Sequence, residues 1–202
     1  MLVIGLLGGI LLAPAAREKL HIPAALSASA DSSAQPVDTD NTSLLTASAH
    51  VLTALKGSDW KALSACVGAD GVTFTPHSTV DGTNLHFSAG DLAKAGGSST
   101  PYIWGVSPET NKPIQLSIPD YFRLYVWDED YSAIREIGVD SVVRTGNAVE
   151  NVASSYPDCR FLDFYSPGSP DRAEDWSALK LVFRWENNRW ALTAIIHSGW
   201  TP

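Results

Sequence analysis

The sequence has little basic charge, few cysteines and few charged residues of any kind. Lys and Arg number 14 against 22 Asp and Glu, and charged residues make up 18% of the 202 residues. A nucleic-acid partner is not expected, because contacts to phosphates need a dense basic face. Two cysteines are too few for a small disulfide framework, and 45% hydrophobic residues are too many for a disordered chain. One acidic globular domain remains.

The chain also lacks common catalytic and metal-binding signatures. It has no Gly-x-Ser-x-Gly, His-Glu-x-x-His, paired Cys-x-x-Cys, phosphate-binding loop or dinucleotide-binding glycine pattern. Ser58 and Lys61 match Ser-x-x-Lys, but the partner motifs of that enzyme class are missing and a helix N-cap accounts for Ser58. His77 and His86 flank a turn-rich segment without an evident third ligand, so no metal ion and no cofactor is predicted.

The first 42 residues differ in composition from the rest. Residues 1–16 contain no charged side chain and match the apolar part of a signal peptide in length, although they are shorter than a membrane span. From residue 24 to 42 the chain is mostly Ala, Ser, Asp and Thr without helical or strand periodicity. We predict a signal or membrane-anchor segment at 1–16, a flexible tether at 17–42 and a domain at 43–202, located outside the cytoplasm. The alternative for the first segment is a buried N-terminal helix.

Hydrophobic periodicity in the predicted domain indicates helices first and strands later. Apolar residues recur at helical spacing from Leu44 to Leu55, and Ser58 or Asp59 caps a second short helix. A further helix begins at Ser117 and runs towards Trp127. Strands are predicted at 72–75, 102–106, 114–116, 137–143, 160–165 and in a final hairpin after residue 178.

The final hairpin has the clearest pattern. Asn187 and Asn188 fit the centre of a tight turn, which pairs Trp185 with Trp190. Alternation then places Leu192, Ala194 and Ile196 on the core face, and Lys180 and His197 on an opposite, mixed face; a bulge would reverse the position of His197. The predicted fold class is α+β, with a curved, half-covered antiparallel sheet wrapped around a helical layer.

Several segments resemble a group of uncharacterised exported bacterial proteins. The resemblance covers residues 44–202 and rests on residues 71–76, 102–105, 136–138, 176–183, 190–192 and 197–201. That group is similar in fold to the nuclear-transport-factor-two and ketosteroid-isomerase superfamily, which implies a cone-shaped α+β domain and no established chemistry. Ser198 and Gly199 stand where the group often has acidic or amide residues, so no role is carried over to them.

Cys66 and Cys159 are predicted to form a disulfide, because paired cysteines in an exported protein are more often bonded than reactive. The alternative is two buried thiols. A bonded Cys159 would point towards the helical layer, and alternation along the strand would direct Phe161, Asp163 and Tyr165 the same way.

This orientation makes Asp163 and Tyr165 the candidate catalytic residues. Burial among aromatic side chains would raise the pKa of a carboxyl group, which suits a general acid or base. In isomerases and cyclases of the resembled superfamily, carboxylates and tyrosines in the cavity do such work; the alternative for Asp163 is a structural role. The candidate ligand-binding residues are Tyr102, Trp104, Asp163, Tyr165 and His197. The acidic run at 128–130 lacks the spacing of a calcium-binding loop and is interpreted as a solvated face or a weak cation patch.

The predicted function is an exported or membrane-tethered binding domain without established catalytic activity. Its expected partner is a small apolar ligand or an envelope protein, and its open sheet face is expected to form a homodimer. One alternative is an isomerase-like or cyclase-like enzyme that uses Asp163 and Tyr165. Another is a structural component of a cell-envelope complex.

Overall fold

The structure is a computed structural model that describes residues 40–172 and 174–200. Two helices come first, α1 (Asn41–Lys56) and α2 (Trp60–Cys66). Their N-caps are Asp40, which accepts a hydrogen bond from the Thr42 N–H, and Asp59, which accepts one from the Ala62 N–H. Because α1 begins at Asn41, the last two residues of the predicted tether belong to this helix. The predicted segment at 1–16 and the tether up to residue 39 lie outside the described residues.

Short helices and strands follow. They are β1 (Val72–Thr75), β2 (Leu85–Phe87), α3 (Ala89–Leu92), β3 (Pro101–Val106), β4 (Pro113–Ser117), α4 (Ile118–Tyr121), β5 (Glu136–Val139), α5 (Val152–Ser155), β6 (Cys159–Ser166), β7 (Ser177–Glu186) and β8 (Arg189–Gly199). Ser117 caps α4, which continues through a π-helical turn, Phe122–Val126, as far as the sequence predicts. Within residues 40–172 and 174–200, no helix has the length and apolar character needed to cross a bilayer.

Six strands form one sheet in the order β2-β1-β8-β7-β6-β5, and β3 and β4 form a separate hairpin. The β1–β8 pair is parallel and the other neighbouring pairs are antiparallel. β8 therefore lies inside the sheet, between β1 and β7, although it follows every other strand in the chain. The predicted α+β class with an antiparallel-rich sheet is confirmed.

One face of the sheet, called the inner face here, packs against the helices. Leu162 and Phe164 of β6 and Leu179, Leu181 and Phe183 of β7 are buried in one core with side chains of α1, α2 and α4. Burial of each large apolar side chain contributes about 1.5–3 kcal/mol. This core holds the helical layer on the sheet.

The opposite, outer face is covered as well. Val142 and Val152 of the β5–β6 connection, together with Val80, pack against Phe161 and Ile196. The Lys180 side chain, predicted on a mixed and partly open face, is 0% exposed. The prediction of a half-covered sheet is therefore wrong for the described part of the chain. The open sheet face on which the predicted homodimer depends is covered there.

The final hairpin departs from alternation at one residue. Trp185 pairs with Trp190 across the Asn187–Asn188 turn, as predicted. Phe183 then pairs with Leu192 but Val182 pairs with Ala194, so a β-bulge at residue 193 adds one residue to β8. As a result Ala194 and Ile196 belong to the outer-face cluster, and His197 pairs with Leu179 of the inner face. The sequence-based placement of these three residues is wrong, because it carried the alternation through the bulge.

The predicted disulfide is not formed, and both cysteines are free thiols. Cys66 packs against the inner-face core and Cys159 against the outer-face cluster, so the sheet separates them. Cys159, Phe161, Asp163 and Tyr165 share one face, as alternation predicts. That face is the outer one, and their predicted orientation towards the helices is wrong.

Candidate functional site

The predicted site residues of the β3–β4 hairpin pack into the core. The ring of Trp104 is fully buried and stacks on Tyr121 with 3.6 Å between centroids, and its Nε1 donates to the Leu116 carbonyl. Tyr102 meets Phe87 edge to face, with 5.4 Å between centroids. These contacts give Trp104 and Tyr102 a packing role. The other three predicted residues lie on the sheet, on two different faces.

Tyr165 lies on the outer face in an aromatic and cationic group. Its hydroxyl accepts a hydrogen bond from Arg144 Nη1 at 3.0 Å, and Trp176 packs against its ring. The Arg144 guanidinium also lies 5.2 Å from the centre of the Trp176 ring, within the range of a cation–π contact. These contacts fasten the β5–β6 connection to the sheet.

Asp163 belongs to a buried polar group that we call the Lys180 cluster: Glu150, Asp163, Lys180 and Ser198. Lys180 Nζ donates to Ser198 Oγ at 2.6 Å and lies 2.9 Å from Glu150 Oε2 and 3.9 Å from Asp163 Oδ1. Asp163 Oδ2 accepts a hydrogen bond from the Val143 N–H at 2.8 Å. Burial raises the pKa of Asp163 and Glu150 adds to the rise, while Lys180 and the Val143 N–H oppose it.

His197 belongs to a second polar group, the His197 cluster, with Asp128, Tyr131 and Ser177. Its Nε2 lies 3.1 Å from Asp128 Oδ2 and its Nδ1 lies 3.2 Å from the Pro76 carbonyl oxygen. Ser177 donates to Asp128 Oδ2 at 2.6 Å, and Tyr131 donates to Oδ1 at 2.8 Å. Although desolvation opposes ionisation, the contacts with His197 and the hydrogen bonds from Ser177 and Tyr131 lower the pKa of Asp128 to about 2. A carboxylate with this pKa accepts protons poorly at neutral pH, so the cluster fits a structural role.

Residues 128–130 are exposed, as expected for a solvated face, but the Asp128 side chain turns towards the His197 cluster. The Asp128 side chain is 25% exposed, whereas Asp130 pairs with Lys56 at the surface. Trp127 and Tyr131 bracket Asp128 and contact each other, with 5.9 Å between ring centroids. No signal in the sequence separates Asp128 from Glu129 and Asp130, because all three acids lie between Trp127 and Tyr131.

A cleft of about 690 Å³ opens between the helices and the end of the final hairpin, and we call it the α1–α2 cleft. Small side chains of the two helices line one wall, and larger apolar side chains of β7 and β8 line the other. These residues are Ala47, Ala54, Ala62 and Ala65 on the helices and Phe183, Trp185 and Trp190 on the strands. The alanines leave the space that larger side chains would fill.

Hydrogen bonds from the hairpin hold the walls of the cleft in place. Trp190 Nε1 donates to Ser43 Oγ of α1 at 2.9 Å, and Trp190 meets Trp185 at 5.1 Å between ring centroids. Arg189 donates to two backbone carbonyls at the end of α2, at 3.0 and 2.9 Å. The last carbonyl groups of a helix have no N–H partner within the helix. A cation at this end supplies the missing hydrogen bonds and interacts favourably with the helix dipole.

The cleft combines apolar walls with a few polar groups. Thr46, His50, Thr53 and Asn188 also line it, and Asp59 is engaged as the cap of α2. Its volume lies within the range of about 300–1,000 Å³ that is usual for small-molecule sites. In the part of the chain that the structure describes, no three His, Cys, Asp or Glu side chains group together as metal ligands.

No protein-family model and no curated protein matches the chain. A protein of the NTF2-like family from Streptomyces avermitilis is 14% identical, with 81% of this chain and 98% of that chain covered and a TM-score of 0.36. A cystatin-like domain of unknown function from Nostoc punctiforme is 13% identical, with 81% and 78% covered and a TM-score of 0.37. The β subunit of benzoate 1,2-dioxygenase from Burkholderia mallei is 9% identical, with 79% and 90% covered and a TM-score of 0.33. Similarities this distant carry no conclusion about ligand, activity or partner.

Proposed function

We propose that this domain binds a small apolar ligand in the α1–α2 cleft. The supporting observation is the cleft itself, about 690 Å³ in volume and lined by four alanines and by Phe183, Trp185 and Trp190. Contact between water and the apolar walls of a concave site is unfavourable. An apolar ligand that displaces this water therefore binds favourably. His50 and Asn188 supply polar atoms that orient one end of such a ligand.

The position of the predicted catalytic pair supports a binding role over an isomerase-like or cyclase-like activity. Asp163 and Tyr165 lie on the outer face, whereas the cleft lies on the inner face. Asp163 Oδ2 is occupied by the Val143 N–H and the Tyr165 hydroxyl by Arg144. Neither side chain lines the α1–α2 cleft.

The binding proposal is tested by titrating the full-length protein with the apolar dye anilinonaphthalene sulfonate and measuring energy transfer from tryptophan. We expect saturable binding by the wild type. Ala62→Phe places a large side chain in the cleft and is expected to weaken binding at least about tenfold, which corresponds to roughly 1.4 kcal/mol.

The matched control is Ala49→Phe, because Ala49 is an exposed alanine of α1 outside the cleft. This variant is expected to bind the dye like the wild type. Equal affinities for the Ala62→Phe and Ala49→Phe variants, with far-ultraviolet circular dichroism unchanged in both, would contradict the proposal.

We further propose that the domain acts outside the cytoplasm, tethered by the N-terminal segment. The uncharged residues 1–16 and the Ala/Ser-rich stretch that follows support this location. Protease added to spheroplasts of a producing cell should degrade the domain, and protection equal to that of a cytoplasmic marker would refute the location.

Native mass spectrometry of the protein purified from its own host separates a ligand-loaded domain from a structural component of a larger envelope complex.

A further inference from the structure

Lys180 is a fully buried lysine whose amine faces two carboxyl groups. The side chains of Lys180 and Asp163 are both 0% exposed, and that of Glu150 is 14% exposed. Asp163 and Lys180 pair directly across β6 and β7. One buried cation between a fully buried and a partly buried carboxylate leaves an uncompensated negative charge, which is unfavourable unless one carboxyl group holds a proton.

Asp163 is the carboxyl group placed to hold that proton. Its Oδ1 accepts no hydrogen bond from any described residue. Burial raises the pKa of this carboxyl group, with Glu150 adding to the effect. Phe161 and Tyr165 flank Asp163 on the same face, and Ile196 lies opposite Lys180. A lysine amine becomes nucleophilic when an adjacent base takes its proton, and Glu150 Oε2 lies 2.9 Å from Lys180 Nζ.

We propose that Lys180 and Asp163 condense to an intramolecular amide, an isopeptide bond that joins β6 to β7, with Glu150 as the base. This goes beyond ligand binding and is independent of it, because the Lys180 cluster and the α1–α2 cleft lie on opposite faces of the sheet.

The reaction balances with the groups present. Glu150, whose Oε2 lies 2.9 Å from Lys180 Nζ, takes one proton from the lysine ammonium. The free amine attacks Cγ of the protonated Asp163 carboxyl group and forms the new C–N bond. A second proton passes from this nitrogen through Glu150 to the departing hydroxyl group, and the C–O bond breaks with loss of one water molecule. The products are a neutral amide and a protonated Glu150, and no oxidant or other reactant is needed.

The fold supplies the proximity and the driving force for this step. Cross-strand pairing keeps Nζ within 3.9 Å of Asp163 Oδ1, so the reaction is intramolecular and pays little further entropy for the approach. Formation of the amide bond requires the end of the Lys180 side chain to leave Ser198 Oγ and move towards Asp163. The product removes a buried cation and a buried anion, which relieves their desolvation cost.

The test is a peptide map of the denatured full-length protein by tandem mass spectrometry. We expect a branched peptide that joins the segments containing Asp163 and Lys180 and is lighter than their sum by one water molecule. Trypsin should not cleave after Lys180. Separate, linear Asp163 and Lys180 peptides would overturn the proposal, even if water were lost elsewhere, for example by cyclisation at Asp81–Gly82.

Three variants test the roles of the residues. Asp163→Asn should form the same branch with loss of ammonia in place of water, because the amide nitrogen is then the leaving group. Glu150→Gln removes the base and Lys180→Arg removes the reactive amine, so both should give linear peptides only. A branch in the Glu150→Gln variant would overturn the role of Glu150. If a variant does not fold, the wild-type map decides on its own whether the bond forms.

Discussion

Asp128 fastens three parts of the chain through one carboxylate. Ser177 of β7, His197 of β8 and Tyr131 of the turn after α4 all contact its two oxygens. These contacts lower the pKa of Asp128 from 3.8 to about 2 although desolvation acts in the opposite direction. A group with a folded-state pKa below its unfolded-state pKa stabilises the fold above the unfolded value. That contribution is lost as the pH falls from 3.8 through about 2.

Asp128→Asn is therefore expected to lower the free energy of unfolding at neutral pH by about 1–2 kcal/mol, allowing for the partial exposure of the side chain. Urea unfolding at neutral and acidic pH measures this change. The difference between variant and wild type should shrink in acid, where the wild-type carboxylate is protonated.

Asp130→Asn is the matched control, because Asp130 pairs with Lys56 at the surface and such pairs contribute little. A loss of stability in the Asp128→Asn variant that stays constant down to acidic pH would contradict the proposed contribution of the carboxylate charge.

At the scale of the element, the bulge in β8 determines which of its side chains face the helices and which face the outer layer. Before the bulge Trp190 and Leu192 face the helices; after it Ile195 and His197 do, while Ala194, Ile196 and Ser198 face the outer layer. A single extra residue thus reverses the faces that simple alternation would give to residues 194–199.

Deletion of Thr193 is expected to remove the bulge and leave residues 194–199 on their present faces, because Ala194 then follows Leu192 in regular alternation and still pairs with Val182. Ile195 would stay in the inner core and Ser198 on the outer face. We expect a folded variant that loses no more than about 3 kcal/mol, measured by urea unfolding and near-ultraviolet circular dichroism.

Thr193→Val keeps the extra residue and the branched shape at a partly exposed position, so its cost should stay below about 1 kcal/mol. Its main loss is the weak hydrogen bond from Thr193 Oγ1 to the Ala191 carbonyl, which spans 3.3 Å. A deletion variant that does not fold would contradict the assignment of Thr193 as the extra residue of β8.

The bulge also explains how far the sequence could predict the molecule. The turn and the Trp185–Trp190 pair follow from local residue preferences, so alternation placed them correctly. Thr193 is an ordinary strand residue, and nothing in its neighbours indicates a bulge. The sequence also did not predict that the β5–β6 connection covers the outer face of the sheet. The segment that carries Glu150 is polar and without periodicity, which is typical of a solvated loop. A lysine that alternates with core residues along a strand is expected at an exposed position. Lys180 is buried because that segment covers it.

At the scale of the whole molecule, the sheet divides the domain into two layers with different chemistry. The inner layer is one large apolar core, whereas the outer layer has two smaller apolar clusters and the Lys180 cluster. This division keeps Cys66 and Cys159 apart, and burial raises the pKa of both thiols.

The domain is therefore expected to contain two thiols that react slowly with iodoacetamide when folded and fully after denaturation without a reductant. Intact mass after alkylation counts them. The same labelling in the presence of a reductant is the control. A rise in labelling only when reductant is added would show a disulfide and contradict the structure.

The position of β8 inside the sheet has a consequence for how the protein is made. Thr73 pairs with Ala194, so β1 is synthesised long before its parallel partner exists. Until the final hairpin has emerged from the ribosome, β1 and β7 both lack the strand that joins them, and the nascent chain cannot close its sheet. The six-stranded sheet can therefore be completed only after β8 has been synthesised, and until then the edges of β1 and β7 that it pairs with stay unpaired.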